Sequence, residues 1–562
     1  MTKKWEYCEA DEEKVRETMQ ENDISELVAK ILLNRGIEEH EKIQKFLHPK
    51  IDDLNNPFLL NDIEIAVNRI IEANEKKEKV TIYGDYDVDG ITSIAVLKKF
   101  LTELGMNVEY YLPSRLEEGY GLNNEALKKI HDRGTDLLIT VDCGISAYDE
   151  IEYAKSLGME VIVTDHHECP EKIPDTIAVI DPKRKDNTYP FNSLAGVGVT
   201  FKLIQAISLR LGLDRKRYLK YLDIVCLGTV ADIVPLVGEN RVIVKFGLML
   251  VKETRNVGLR ALIKLSGYTK IDSGLISFGI APRMNACGRM GKADLALELL
   301  LTDDYEKAEK IAMELNEINR ERQEVEKRIM DEAVKIIEEQ KLYDDKVIVV
   351  GNENWHHGVI GIVASKITEM YYRPSILICF EGEEGKGSGR SIEGFDLHKA
   401  LSSCSKDLLK FGGHEMAIGL TMRKDEFENF RKDINDYAKE NMPEENVPVI
   451  KADSYINSEN ISFEKINELE ILEPYGEANP MPMFIYKNIK VDGIRALSNN
   501  KHLKLLLKDG SNLYDAIAFN MGDKQYSIKI GDKIDVLHYL DVNVFNNVQR
   551  IQFNVKDIKK SL

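Results

Sequence analysis

Three aspartates stand at alternate positions in the stretch from Val80 to Ser93, VTIYGDYDVDGITS: Asp85, Asp87 and Asp89. Like charges crowded on a short turn repel one another, and a hard divalent cation that prefers oxygen ligands is the usual reason to tolerate them. Asp and Gly also dominate ordinary turns, so this stretch alone leaves a plain polar turn open. The case grows along the chain. Asp142 lies in VDCGIS, Asp165, His166 and His167 in TDHHE, and Asp232 in TVADIVPL. Asp87, Asp89, Asp142 and Asp232 together carry four negative charges, which two divalent cations balance before any substrate arrives. Without metal, mutual repulsion drives several of these carboxylates to protonate. A general acid and base need only two carboxylates, so a metal centre is the better explanation. Two ions about 4 Å apart suit in-line displacement at phosphorus, one activating water and the other stabilising the leaving oxygen.

The elements that must hold these side chains follow from the apolar runs. Between Lys79 and about Leu236, strand-like runs alternate with amphipathic helical patterns: Val80 to Tyr83, Val108 to Leu112, Leu137 to Val141, Val161 to Thr164, Ala178 to Ile180 and Val225 to Val230. Continuous apolar strands interleaved with helices predict an α/β domain with a doubly wound, mainly parallel sheet. The first run stops at Gly84, and Gly90 opens a helical pattern from Ile91 to Leu104. The acidic residues then sit at four strand ends, where ligands bind in open α/β sheets. Two histidines at one of those ends add nitrogen ligands to the oxygen set.

The whole chain sets limits on this reading. At 562 residues it exceeds a single core and is expected to divide into three or four domains. Charged residues are 30% and hydrophobic ones 43%, an ordinary globular balance. The opening MTKKWEYCEADEEK lacks the apolar core of a signal peptide, and no stretch approaches a membrane span, so a cytoplasmic protein with no membrane partner is expected. The seven cysteines are scattered without paired ligand spacing, which suggests neither a zinc ribbon nor a disulfide framework. A net charge of -19 argues against coating nucleic acid by bulk electrostatics, so any such site must be a confined groove.

Outside the sheet, Asp23 to Pro49 reads as two short amphipathic helices broken at Gly36, a packing arm. From Asp303 to Gln340, apolar residues at Ile311, Leu315, Ile318, Val325, Ile329, Ala333 and Ile336 keep helical spacing without a strict heptad. A long connecting helix is expected there, with a coiled-coil dimer as its rival. Asp345 to about Ala438 reads as a second α/β unit: strand Val347 to Val350, helix Val359 to Met370, strand Ser375 to Cys379, then GSGRS. Glycines, an arginine and two serines suit a phosphate, although a hairpin turn uses the same residues. His356 and Arg373 read equally well as a cap and a surface charge. Beyond Pro443 to Pro448, HLKLLLK, LYDAIAF, KIDVLHYL and VQRIQFNV alternate apolar and polar residues between turns, the pattern of a small barrel of the oligonucleotide-binding type. Phe484, Tyr486, Tyr514, Phe519, Tyr539 and Phe545 are expected mostly in its packing, and Lys501, Lys504 and Lys508 are candidates to line a single strand.

GDYDVDG, VDCGIS, TDHHE and VADIVPL, in this order, resemble the four motifs of the DHH phosphoesterase superfamily. PSRLEEGYGL, APRMNACGRMG, HHGVIGIVASKI, GSGRS and FGGHEMAIGL resemble its RecJ branch of single-strand-specific 5′ exonucleases, a likeness that covers most of the chain. The resemblance implies that Asp89, Asp142, His166 and Asp232 hold one metal, that Asp87 with the shared Asp142 holds the other, that His167 faces the scissile phosphate and that Asp165 orients a histidine ligand. Related pyrophosphatases carry a histidine four residues before the first ligand aspartate; here Tyr83 stands there, leaving the second ion fewer protein ligands. Asp85 is a candidate to assist or simply a turn residue. Ser388, Arg390, Gly413 and His414, joined by Arg115 and Arg289, are implied to grip the strand and a 5′-terminal phosphate. The implied domains are an N-terminal helical arm (1–50), a DHH phosphoesterase domain (51–302), a connecting helix (303–341), a DHHA1-like substrate-binding domain (342–442) and an oligonucleotide-binding-type barrel (443–562).

The function so implied is a Mn2+- or Mg2+-dependent, two-metal exonuclease that degrades single-stranded DNA 5′→3′ to 5′-mononucleotides in recombination and repair. A single-strand-binding protein and a helicase are its candidate partners, and a monomer is expected. Two rivals remain open: a DHH phosphodiesterase for short RNA or cyclic dinucleotides, and a non-catalytic strand-binding scaffold. The long connector and the barrel weigh against the first, the intact ligand set against the second.

Overall fold

Strands that are apolar at every position need cover on both faces, and residues 79–180 provide it in a five-stranded, all-parallel sheet. Its order is Asn107–Tyr111, Lys79–Gly84, Leu137–Val141, Glu160–Thr164, Ala178–Ile180. Val80, Ile82, Leu137, Ile139 and Ile162 enter the core on one face, while Tyr83, Leu138, Val161 and Val163 enter a separate core on the other. The register aligns Gly84 with Val141, Val141 with Thr164 and Thr164 with Ile180. The residues that follow these strand ends, Asp85, Asp142, Asp165 and Asp181, therefore leave the sheet at one level. The computed structural model describes residues 3–7, 9–114, 118–119, 121–443, 447–545 and 548–561, with the backbone alone at Phe545.

One expected strand is a helix. Val225 to Val230 lies inside the helix Leu222–Ala231, whose residues are buried all round from Leu222 to Val230. A continuous apolar run has no period by which a fully buried helix differs from a buried strand. Asp232 thus follows a helix, and the fourth acidic strand end is Asp181.

The helix Tyr305–Glu339 spans 35 residues, about 52 Å at 1.5 Å per residue. Asp304 caps it, accepting from the backbone N–H of Glu306 and Lys307 at 2.9 and 3.1 Å. Ala308, Ile311, Leu315 and Ile318 belong to the core of the first sheet's domain, whereas Ile329, Ala333 and Ile337 belong to a core of the second α/β unit. One apolar face is thus shared between two cores of the same chain, as expected of a connector. The second sheet runs Lys410–His414, Ala417–Arg423, Glu384–Arg390, Ser375–Glu381, Ile348–Asn352, parallel only in its last pair.

Five strands, Met483–Leu497, His502–Asp509, Asn512–Ala518, Lys533–Phe545 and Val548–Lys560, close into a barrel because the first pairs with both the second and the fourth. Alternation buries Leu503, Leu505 and Leu507 and turns Lys504 and Lys508 outward. Phe484, Tyr486 and Tyr514 are buried packing residues, Tyr539 is half-buried and Phe519 is exposed; the Phe545 side chain lies outside the described residues. In the N-terminal arm, Asp23 to Pro49 holds the two expected helices, Glu26–Asn34 and His40–Leu47, on either side of Gly36, and a further helix, Glu12–Asn22, precedes them. Ile31, Leu32, Ile43 and Leu47 pack into the barrel module's core, and the strand Lys4–Tyr7 pairs with Val449–Ala452. Arg241 locks these parts together. Fully buried, it stacks on Phe46 at 3.8 Å and donates to the carbonyls of Phe46 and Glu473 at 2.6 and 2.9 Å. Among the described residues no helix is long and apolar enough to cross a membrane.

Candidate metal centre

The turn after Gly84 places two carboxylates by helix capping. Asp87 is the N-cap of the helix Val88–Glu103 and accepts from the Gly90 N–H at 3.1 Å. Asp89, in the first turn, crosses to a second helix start, accepting from Gly196 N–H at 2.7 Å and Val197 N–H at 2.8 Å at the head of Gly196–Arg210. A helix N-terminus favours negative charge, so Asp89 is fixed before any cation arrives. Asp142 takes the left-handed conformation, φ +59°, and its carboxylate is buried against His166.

His166 Nε2 is the meeting point. It lies 3.1 Å from Asp142 Oδ1, 3.6 Å from Asp232 Oδ2 and 3.7 Å from Asp89 Oδ2. Three ligand groups follow: Asp89, His166 and Asp232; Asp142, His166 and His167; Asp85, Asp87 and Asp142, each with its ligand atoms within 4.8 Å of one another. Asp85, a turn candidate in the sequence, thus joins Asp87 and Asp142. Tyr83 points away from them: its ring stacks on Tyr111, and its hydroxyl donates to the Gly121 carbonyl at 2.9 Å.

Asp165 differs from its expected part. Its Oδ1 holds His167 Nδ1 at 2.7 Å, and it meets His166 through the backbone N–H, at 2.7 Å. Its Oδ2 accepts from Ile145 N–H at 2.9 Å. The ring that the Asp165 side chain orients is therefore that of His167, which lies against the His166 ring with centroids 4.5 Å apart.

The charges record the crowding. Burial first, then the neighbouring carboxylates, push Asp89 and Asp142 well above the ordinary range and Asp232 up to about 7. Burial, with the charge of His167, pushes His166 down to about 3, which leaves its Nε2 lone pair available to a metal. Burial opposes charge on His167 too, but the hydrogen bond and charge of Asp165 outweigh it and push this ring up to about 9. Two buried atoms, Asp142 Oδ1 and His166 Nε2, have no hydrogen-bond partner among the described residues. A methyl group on Gly196 would stand 2.5 Å from Asp142 Oδ1, and one on Gly228 2.8 Å from Asp89 Oδ1. Carboxylates and imidazole around orphaned acceptors fit divalent cations of the Mg2+ and Mn2+ kind.

The cleft wall comes from APRMNACGRMG. Its helix Ala281–Arg289 docks on the acidic turn, with Asn285 Oδ1 accepting from Val88 N–H at 3.2 Å. A cavity of about 440 Å³ is lined by Asp85, Asp87, Asp89, Asp232, Asn285 and Arg289. Arg289 also reaches the second α/β unit, donating to the Gly358 carbonyl at 3.2 Å. There GSGRS forms neither a phosphate loop nor a hairpin turn but most of the strand Glu384–Arg390. Gly387 and Gly389 make room for Leu420, Ile378 and Ile418, while Ser388 and Arg390 meet helix His357–Tyr371, where a methyl on Gly361 would stand 2.9 Å from Ser388 Oγ. Arg390 Nη1 donates to Ser388 Oγ at 3.2 Å. His414 pairs with Ala417 and Ala417 with Arg390, so His414 and Arg390 share one row, about 10 Å apart across two strand spacings. Gly413 has φ +129° and no room for a side chain. His356 is a cap, accepting from Gly358 N–H at 3.1 Å, and Arg373 donates to the Tyr343 carbonyl at 3.0 Å. Arg115 lies outside the described residues.

Sequence reasoning passed over Gly196, Gly228, Asn285 and Asp181. Asp181 carried the same strand-end signal as Asp142 and could have been found by it; the glycines could not, because their role depends on a helix packed from elsewhere.

Comparison with known proteins finds relatives along nearly the whole chain. The sequence model of the DHH family, N-terminal domain, matches residues 79–229, that of the DHHA1 domain residues 344–440 and that of the RecJ OB domain residues 452–557. The single-stranded-DNA-specific exonuclease RecJ of Bacillus subtilis is 40% identical over 560 residues, 99% of this chain and 70% of that protein. The crystal structure of RecJ in complex with Mn2+ from Thermus thermophilus superposes with a TM-score of 0.87 at 31% identity, covering 100% of this chain and 80% of that one. The Mg2+ complex from the same organism gives 0.80 at 30% identity, covering 100% and 79%.

Proposed function

The chain belongs to the RecJ family of single-stranded-DNA-specific exonucleases, and from that premise we propose that it removes nucleotides from the 5′ end of single-stranded DNA and releases 5′-mononucleotides, as an enzyme of recombination and repair. The observation that carries this reading is the pair of orphaned atoms, Asp142 Oδ1 and His166 Nε2, at the meeting point of three carboxylate and imidazole groups. The cofactor is a divalent cation, Mn2+ or Mg2+. When bound, such ions supply Lewis acidity and charge neutralisation for displacement at phosphorus.

The chain's own residues divide the remaining work. Asp89, Asp142, His166 and Asp232 form one ligand set, and Asp87 with Asp142, assisted by Asp85, forms the second. Asp165 holds the His167 ring toward the scissile phosphate, where a charged imidazole offsets the developing negative charge. Arg289, Ser388 and Arg390 receive the terminal 5′ phosphate, with Arg115, Gly413 and His414 along the strand. An end-seeking pocket of this kind explains removal of one nucleotide at a time. The protein works as a monomer, and a helicase and a single-strand-binding protein are the partners that would present it with a free strand.

The test is manganese-dependent digestion of a single strand with distinguishable 5′ and 3′ labels, beside a duplex and an RNA dinucleotide. Early release of the 5′ label as a mononucleotide, with the duplex spared, is expected. Loss from the 3′ end, or activity confined to the dinucleotide, would overturn the reading.

A further inference from the structure

Two departures from ordinary backbone geometry face the same groove beside the metal centre. Ile233, next to Asp232, has φ +61°, a genuine outlier for a β-branched residue. Its side chain is nonetheless 69% exposed. Phe278 sits on a π-helical turn, Leu275–Ile280, and is 73% exposed. Burial stabilises neither side chain. Strained residues and π-helical turns cluster where a chain binds or reacts.

Both side chains line one cavity of about 410 Å³. It shares Ala231, Ile233, Asn285 and Arg289 with the metal cavity, and it continues past Phe278 to Gly476 in the segment before the barrel. A strand held at the metal centre and leaving along this groove passes both apolar side chains. Every nucleobase has a π-face, so an exposed aromatic ring beside a phosphodiester site binds a base without reading its sequence. Resting on the function proposed above, we infer that Phe278 is the stacking platform for one nucleobase of the bound strand and that Ile233 forms the opposing apolar wall. The left-handed turn at Ile233 then has a purpose: it holds the wall outward while Asp232, one residue before, turns inward to the metal.

The test uses the full chain in single-turnover digestion of a 5′-phosphorylated oligothymidylate, and of matched strands with one abasic site at each of the first six positions. Wild type is expected to slow about tenfold at one position, the step at which the missing base should stack. F278A should bind the intact strand about tenfold more weakly and lose the position dependence, and F278W should restore both. I233G, which suits the left-handed backbone, should weaken strand binding without loss of fold, with Mn2+ binding of each variant as the control. Unchanged strand affinity in F278A and I233G, or an unchanged abasic profile in F278A, would overturn the inference while leaving the exonuclease reading intact. A wild type that digests no strand would overturn that reading and this inference with it.

Discussion

Asp142 Oδ1 and His166 Nε2 face each other at 3.1 Å, both buried and neither hydrogen-bonded to any described residue. A buried polar atom without a partner costs stability, so the arrangement is retained for what it can bind. Replacing Asp142 by Ala is expected to lower turnover roughly a thousandfold, as loss of a metal ligand removes several kcal/mol of transition-state stabilisation. Mn2+ stoichiometry should fall in parallel by calorimetry. A variant with normal turnover would show that the reaction does not run through this ligand set.

Gly196 allows Asp142 to lie against the start of its helix. Gly196→Ala, with its new methyl 2.5 Å from Asp142 Oδ1, should displace the carboxylate and weaken Mn2+ binding about 10- to 100-fold, the range seen when the surroundings of a ligand are disturbed. Raising Mn2+ should recover much of the rate. Equal loss at all Mn2+ concentrations would place the damage elsewhere.

Asp165 holds the His167 ring, whereas it meets His166 through the backbone. Asp165→Asn should therefore reduce the single-turnover rate about 10- to 100-fold while leaving Mn2+ stoichiometry near that of wild type. Loss of bound metal would show that Asp165 supports the ligand His166 after all.

His538 lies in the barrel core, stacked on Phe553 at 3.9 Å, and burial pushes its imidazole down to about 3. The unfolded chain takes up the proton near 6.5 and the folded barrel only near 3, so stability is full above about 6.5 and falls as the pH drops. Between about pH 7 and about pH 5 the loss should be about 2 kcal/mol. Hydrogen-exchange protection of the strand Lys533–Phe545 measures it, and His538→Leu should flatten the slope. The same slope in both proteins would assign the acid sensitivity to other groups.

Arg241 has carbonyl acceptors and a ring against it, with Phe46 and Glu473 at its two sides. Arg241→Leu leaves those buried carbonyls without donors, at a cost of about 3 kcal/mol. Limited proteolysis should then open the joint between the arm, the metal domain and the segment before the barrel. A cleavage pattern like that of wild type would argue that packing alone holds the joint.

Much of this was legible in the order of residues. Apolar runs ending in Asp85, Asp142 and Asp165 announced a parallel sheet with acidic ends, because strand period and strand-end position are local properties of the chain. The 35-residue connector and the alternating barrel strands were local in the same sense. What the sequence could not decide depended on distant partners. Leu222–Ala231 is a helix because neighbouring helices bury every side of it, and a run apolar on all sides carries no period of its own. Asp85 joins the candidate ligand set while Tyr83 packs into the core on the other side, because the strand ends at Gly84 and Asp85, beyond it, no longer follows the strand's alternation. The room that Gly196 and Gly228 leave for Asp142 and Asp89 appears only once helices from elsewhere in the chain close on those carboxylates. The sequence by itself determined which candidate ligands this protein carries and the strands that deliver most of them; the tertiary structure decided which of those candidates stand close enough to share an ion, since that depends on distances of a few ångströms between elements far apart in the chain.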